Sequence, residues 1–286
     1  MAINPDAVGA MGEPTRHAWD SADALRYALG VGAGAVDPLD ELAFTTENTT
    51  DVDQQVLPTM AVVLGVGGSS AFGSVGSFNP AMLVHGEQAI TLHGPIPVAG
   101  EVETTGEITG IYDKGKGAVI EVTSTSVDTA TGQPLFANVM SAFIRGEGGF
   151  GGDRGPSGPK NVAPDRDPDH VVTYPTRSDQ ALLYRLSGDR NPLHSDPAFA
   201  ALGGFDRPIL HGLCTYGFTG RALLHTMCGS DPARFGAMEG RFTSPVLPGE
   251  SLTVRMWETG DGEAIFQTAG DDGRTVLDAG RLAYAG

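Results

Sequence analysis

Pro208-Ile209-Leu210-His211-Gly212-Leu213 opens an apolar stretch in which Leu210, Leu213, Cys214, Phe218, Leu223 and Leu224 are spaced for a largely buried helix. Strand-like segments follow, Ser251 to Trp257 and Ala264 to Thr268, around the turn residues Gly260-Asp261-Gly262. A shorter helix precedes the stretch, from Thr176 or Ser178 to Leu186, with Ser/Asp capping chemistry at its start. A helix wrapped in antiparallel strands predicts an α+β architecture.

The same grammar occurs earlier in the chain. Asp23-Ala24-Leu25-Arg26-Tyr27-Ala28-Leu29 answers to Gln180-Ala181-Leu182-Leu183-Tyr184-Arg185-Leu186, within a helix expected over Ser21 to Leu29. Val56-Leu57-Pro58 answers to Arg207-Pro208-Ile209-Leu210, and Pro95 to Glu101 answers to Pro245 to Glu250. Met140-Ser141-Ala142-Phe143 matches Arg281-Leu282-Ala283-Tyr284. Four matches in one order indicate a duplication. Strands are expected over Val102 to Ile111 and Ala118 to Val127, joined through Asp113-Lys114-Gly115-Lys116-Gly117. The counterpart of the long helix, Thr59 to Gly65, is shorter and breaks into Gly67-Gly68. Between the halves, seven glycines and two prolines in the fifteen residues Gly146 to Lys160 mark a connection without regular structure. Two units of this kind are expected to pair through their sheets.

Composition narrows the class. The 286 residues suffice for two domains, each with a core. A hydrophobic fraction of 40% with 19% charged residues is that of a globular protein, and no apolar run is long enough to span a membrane. The formal charge of −17 repels phosphate backbones and argues against a nucleic-acid binder, although a small anionic ligand needs only a local positive cluster. Cys214 and Cys228, the only cysteines, read as core residues of a reducing compartment. The N-terminus lacks the pattern of a secretory signal, and Tyr284-Ala285-Gly286 is not a peroxisomal address, so a cytoplasmic location is expected.

The chemistry concentrates in Gly188-Asp189-Arg190-Asn191-Pro192-Leu193-His194. Gly188 and Pro192 force a turn that lets Asp189 and His194 point into one site, with Asn191 bonding locally to hold the loop closed. A carboxylate and an imidazole converging on one point can grip a water molecule and move its proton. The same residues also suit a plain Asx-turn carrying a surface His. Gly212, in the first turn of the apolar helix, adds a second element. Its amide has no acceptor within the helix, lies at the positive end of the dipole and is open to a ligand carbonyl because no Cβ intervenes.

These residues carry a family resemblance. Tyr184-x-Leu186-Ser187-Gly188-Asp189-x-Asn191-Pro192-Leu193-His194-x-Asp196-Pro197, followed by Pro208-Ile209-Leu210-His211-Gly212, resembles the signature of the MaoC-like, (R)-specific enoyl-CoA hydratases. More narrowly, the chain is similar to the double-hotdog hydratase 2 type, found in the hydratase portion of peroxisomal multifunctional enzyme type 2 and in actinobacterial 3-hydroxyacyl-thioester dehydratases. Phe44-Thr45-Thr46-Glu47-Asn48, Val56-Leu57-Pro58-Thr59 and Leu83-Val84-His85-Gly86-Glu87-Gln88 support the narrower match.

The resemblance implies two helix-wrapped antiparallel sheets in one chain. These would be an N-terminal hotdog over residues 1–147, a Gly/Pro-rich linker over 148–169 and a catalytic MaoC-like hotdog over 170–286. It implies that Asp189 and His194 bind and activate water, that Asn191 supports them, and that the Gly212 amide holds the thioester oxygen. The reaction implied is reversible hydration of trans-2-enoyl-CoA to (3R)-3-hydroxyacyl-CoA, in fatty acid or steroid side-chain metabolism, without metal or redox cofactor. An acyl-CoA is the implied partner, and a homodimer is the family expectation. The alternatives are dehydration of carrier-protein thioesters, a hotdog thioesterase and a non-catalytic acyl-CoA binding module. The first half carries Gly30-Val31-Gly32-Ala33-Gly34 where the Asp/His loop would fall, and Ala61 or Val62 in place of Gly212. It is therefore expected to hold no second site, and the small residues from Gly65 to Gly76 are expected to accommodate the acyl chain. His17, His85, His93, His211 and His225 read as structural. Arg26, Arg145, Lys114, Lys116 and Arg241 are candidates for CoA phosphates.

Overall fold

The computed structural model describes residues 3–286, and among these ten strands form a single antiparallel sheet. The first half supplies β1 (Thr15–Trp19), β2 (Leu83–Leu92), β3 (Gly100–Asp113), β4 (Gly117–Asp128) and β5 (Pro134–Arg145). The second supplies β6 (His170–Pro175), β7 (Phe235–Phe242), β8 (Ser251–Gly260), β9 (Glu263–Ala269) and β10 (Thr275–Tyr284). Across the sheet the order is β1-β3-β4-β5-β2-β7-β10-β9-β8-β6. Read from either outer edge inward, each half runs first, third, fourth, fifth and second strand, so the repeat seen in sequence is a repeat in topology. The two expected sheets are thus halves of one. They join where β2 pairs with β7, from Glu87 opposite Arg241 to Thr91 opposite Ala237, and the Arg241 guanidinium meets Glu87 at 2.8 Å. This pairing satisfies two strand edges that would otherwise be open to other chains.

Strand alternation turns one face of the sheet inward. On β4 the buried set is Ala118, Ile120, Val122, Ser124 and Ser126, and on β3 it includes Val102, Thr104 and Ile108. The β3–β4 hairpin turns at Gly115, whose φ of +76° suits glycine. Asp113 ties this hairpin to the inter-half segment by accepting amides of Gly149, Gly115 and Gly151, each at 2.8 Å. Those bonds hold its carboxyl below the usual range. Residues 146–169 carry neither helix nor strand but are anchored further on, where Asn161 donates to Glu239 at 3.0 Å and to the carbonyl of Ala279 at 2.9 Å.

Against the inner face lie α3 (Ala61–Leu64) and α6 (Gly212–Met227), while α1 (Ser21–Gly30) packs on α2 (Leu42–Thr45) and α4 (Gln180–Tyr184), and α5 (Pro197–Leu202) packs on the turn Pro192–His194. A capping box between Asp20 and Asp23 starts α1. The helix expected up to Leu186 is shorter, because the chain tightens into a 3-10 turn at Arg185–Ser187 and leaves through Gly188 at φ +125°. Twelve of the sixteen residues of α6 are buried, and the helix packs on β6, β7, β8 and β10. Its counterpart α3 has four residues and gives way after Gly65 to a 3-10 run, Val66–Ser74. Glycine lets that run lie flat on the sheet: a Cβ on Gly68 would fall 2.3 Å from Ser124, and one on Gly106 would fall 2.0 Å from the Gly68 carbonyl oxygen. A smaller core beneath it gathers Ile3, Ala7, Ala71, Val75, Ile108 and Ile120.

Arg221 sits in α6 at 2% exposure. It donates to both carboxylate oxygens of Glu41 at 2.9 and 2.8 Å and to the Val31 carbonyl at 2.7 Å, with the Tyr174 ring 4.3 Å away. Burial works to raise the Glu41 carboxyl, but hydrogen bonds from His225 and Arg221 outweigh it and bring it down to about 2. Among the described residues no helix is long and apolar enough to cross a membrane.

Candidate active site

The loop after α4 is built by local hydrogen bonds that its sequence specifies. The Asn191 amide donates to Asp189 Oδ1 at 3.1 Å, and Asn191 Oδ1 caps the turn Pro192–His194 by accepting the Leu193 amide at 3.0 Å. Pro192 suits the first position of that turn because no amide is needed there. Asn191 itself is exposed, so it holds the loop and does not line the cavity. His194 is turned inward, and its Nδ1 donates to the Ile209 carbonyl at 2.9 Å. That bond leaves Nε2 as the lone-pair nitrogen. Burial pushes the imidazole below its ordinary value, against the upward pull of the Ile209 bond and of Asp189.

Two rings read as structural stand in the site. The Nε2 of His211 donates to the main-chain carbonyl of Asp189 at 3.2 Å, and its ring stacks on His194 with centroids 3.7 Å apart and planes 27° apart. One polar atom from each of Asp189, His194 and His211 lies within 4.8 Å of the others. The trio is ill-suited to a metal ion, because an ion must lie in the plane of each imidazole it binds and these planes are nearly parallel. The second ring, His85, comes from β2 in the other half. Its Nε2 donates to the Glu87 carbonyl at 3.1 Å, its ring stands edge-on to Phe242 at 5.0 Å, and burial pushes it down to about 4. No local motif marks His85 as a site residue, since it reaches the loop only through the β2–β7 junction. By contrast, His17 and His93 are exposed, and His225 serves Glu41 at 2.7 Å.

Gly212 is the first residue of α6. A Cβ there would lie 3.2 Å from the Phe242 ring, so glycine keeps the helix start close to that aromatic wall. As the first helical amide its N–H has no intrahelical acceptor. Asp189 opens onto a cavity of about 330 Å³ between the halves. Its walls include Val62, Val66 and Gly68 from the α3 region, Val122 and Met140 from the sheet, and Leu213 beside Gly212. Of the expected phosphate ligands, Arg26 pairs with Asp23, Arg241 with Glu87, and Lys114 donates to the carbonyls of Arg154 and Pro156. Arg190 is the basic residue at the cavity itself.

Comparison with known proteins points the same way. The MFE-2 hydratase 2 N-terminal domain matches residues 17–146, and the MaoC like domain matches residues 160–278. The chain is 50% identical over 295 residues to 3-hydroxyacyl-thioester dehydratase Y of Mycobacterium tuberculosis, covering 99% of each. It is 39% identical over 277 residues to the peroxisomal enoyl-CoA hydratase 2 of Arabidopsis thaliana, covering 92% of this chain and 89% of that one. The crystal structure of a MaoC-like dehydratase from Phytophthora capsici superposes with a TM-score of 0.88 at 33% identity, covering 99% and 98%.

Proposed function

The chain belongs to the MaoC-like, hydratase 2-type double-hotdog family, and on that premise we propose that it catalyses reversible syn hydration of trans-2-enoyl-CoA to (3R)-3-hydroxyacyl-CoA. The observation that carries the reading is the convergence of the Asp189 carboxylate, which opens onto the cavity, with the imidazole of His194, whose lone-pair Nε2 is left free by the bond to Ile209. Polar atoms within 4.8 Å of one another can be bridged by one water at ordinary hydrogen-bond lengths.

In the hydration direction Asp189 accepts one O–H of that water and Nε2 of His194 takes the other proton as the oxygen bonds to C3. Charge develops on the thioester oxygen, which the Gly212 amide stabilises at the positive end of α6. His194 then returns the proton to C2 from the same side, so one water is added and both side chains regain their starting state. The addition changes no net oxidation state, and this reading assigns no role to a metal or redox group. The first half supplies no second dyad and contributes the wall along which the acyl chain lies. The name of the Mycobacterium relative favours dehydration as the direction used, which the same residues perform in reverse. Incubation with crotonyl-CoA tests the proposal: the enoyl absorbance should fall to an equilibrium value with no thiol released. Absence of turnover on crotonyl-CoA and on long-chain enoyl-CoAs, or release of free CoA, would overturn it.

A further inference from the structure

Behind the dyad lies a ring that the reaction as written does not use. His211 is 1% exposed and immediately precedes α6. It touches both members of the dyad at once, bonding through Nε2–H to the Asp189 carbonyl at 3.2 Å and stacking face to face on His194 at 3.7 Å. The fully buried Tyr184 packs against it at 4.9 Å. Among the described residues the buried Nδ1 of His211 has no hydrogen-bond partner, an arrangement that costs stability and that a residue kept only for packing would not require. Leucine or phenylalanine would fill the volume without that cost.

Each contact restrains a degree of freedom that the dyad needs restrained. Gly188 gives the loop no side-chain anchor just before Asp189, and the bond from His211 fixes the Asp189 main chain at that point. The bond from Nδ1 to Ile209 lets the ring of His194 swivel, and the stack fixes its plane. The titratable and charged groups facing His211 are His194, Asp189, Arg185 and Tyr184. Burial and the neighbouring His194 press the His211 imidazole down to about 3, so it stays uncharged while His194 takes and returns its proton. The imidazolium that forms on His194 then lies against a neutral π face.

Building on the hydratase reading, we propose that His211 is a positioning residue for this reaction, aligning the Asp189 carboxylate and the Nε2 of His194 on the same water. Two variants separate this from packing. His211→Leu keeps apolar volume but removes donor and stack, whereas His211→Gln keeps an N–H within reach of the Asp189 carbonyl. On crotonyl-CoA, His211→Leu should lose roughly 10²-fold in kcat with KM within about threefold, as expected when reacting groups are misplaced by about an ångström. His211→Gln should recover to within about tenfold of the parent. Crystal structures of the two variants provide a second readout that needs no turnover: the Asp189 main chain should keep its place in His211→Gln, where a donor remains, and shift in His211→Leu, where the His194 ring should also turn about its bond to Ile209. Undiminished kcat in His211→Leu, equal losses in both variants accompanied by a raised KM, or an unmoved Asp189 main chain and His194 ring in His211→Leu would overturn the proposal. A parent protein inactive on every enoyl-CoA would sink the hydratase reading instead, and the two variant structures would still decide the role of His211.

Discussion

His194 donates from Nδ1 to the main-chain carbonyl of Ile209 at 2.9 Å, and this one bond decides which ring nitrogen faces the reaction. Ile209 lies three residues before Gly212, so the segment that orients the base also carries the amide assigned to the thioester oxygen. Base and oxyanion donor are held in register by a short run of chain leading into a buried helix.

Removing either member of the dyad should abolish most activity without unfolding the protein. Asp189→Asn and His194→Gln should each lose about 10²–10⁴-fold in kcat. Thermal melting should stay close to that of the parent, because Asp189 is partly exposed and a glutamine at 194 can still donate to the Ile209 carbonyl. Steady-state kinetics on crotonyl-CoA with matched melting curves checks this, and near-normal turnover in either variant would remove that residue from the mechanism.

The pH profile should report the buried base. His194 must be neutral to accept a proton, and its imidazole lies below the ordinary value of 6.5. On lowering the pH from 7, the acid limb of kcat/KM should therefore lie below 6.5, where it falls as His194 protonates. An acid limb centred above 6.5 would contradict the assignment.

Stability should respond to acid earlier than activity does. His85 and His211 are held down to about 4 and about 3, so below pH 6.5 the unfolded chain takes up protons that the folded chain refuses. Stability is therefore lost as pH falls from 6.5 towards those values, by at most about 1.4 kcal/mol per pH unit for each ring. Glu41, held down to about 2, withdraws its own contribution only below about 4.5, so the window from 6.5 to 4.5 reports the histidines. Denaturant melts at pH 7, 6 and 5 should show declining stability, with a shallower slope in His85→Phe.

The helix start should tolerate little. In Gly212→Ala the new Cβ would meet the Phe242 ring at 3.2 Å, and that ring already abuts His85. Either the ring or the amide must shift, and kcat should fall by about 10–10³-fold if the amide serves the oxyanion. A kcat unchanged in Gly212→Ala would remove the amide from that role.

How much of this was legible follows from where the contacts lie along the chain. Asp189, Asn191 and His194 belong to one short loop, and the hairpin around Gly115 and the helix after His211 are equally local, so residue type and spacing reveal them. The roles of His85 and Glu41 were not legible. His85 reaches the cavity because β2 lies beside β7, and no local pattern specifies which strand edges of two similar halves will meet. Arg221 looks misplaced in an apolar helix until Glu41, 180 residues earlier, arrives to pair with it. Helical spacing continues past Tyr184 to Leu186, whereas the helix ends at Tyr184 because the Gly188 turn forces the chain to tighten before it.

That buried pair should matter for stability alone. Glu41→Gln leaves Arg221 with an uncompensated charge in the interior and should destabilise by about 3–5 kcal/mol. Arg221→Met combined with Glu41→Gln should recover part of that loss, and kcat should be unaffected in both. Chemical denaturation of the single and double variants checks the claim.

The most direct test of the central claim is the stereochemistry of the product. Crotonyl-CoA hydrated by the parent protein and hydrolysed to the free acid should give (3R)-3-hydroxybutyrate alone, and Asp189→Asn should give almost none. Formation of the 3S acid, of a racemate, or of equal product by Asp189→Asn would contradict the account.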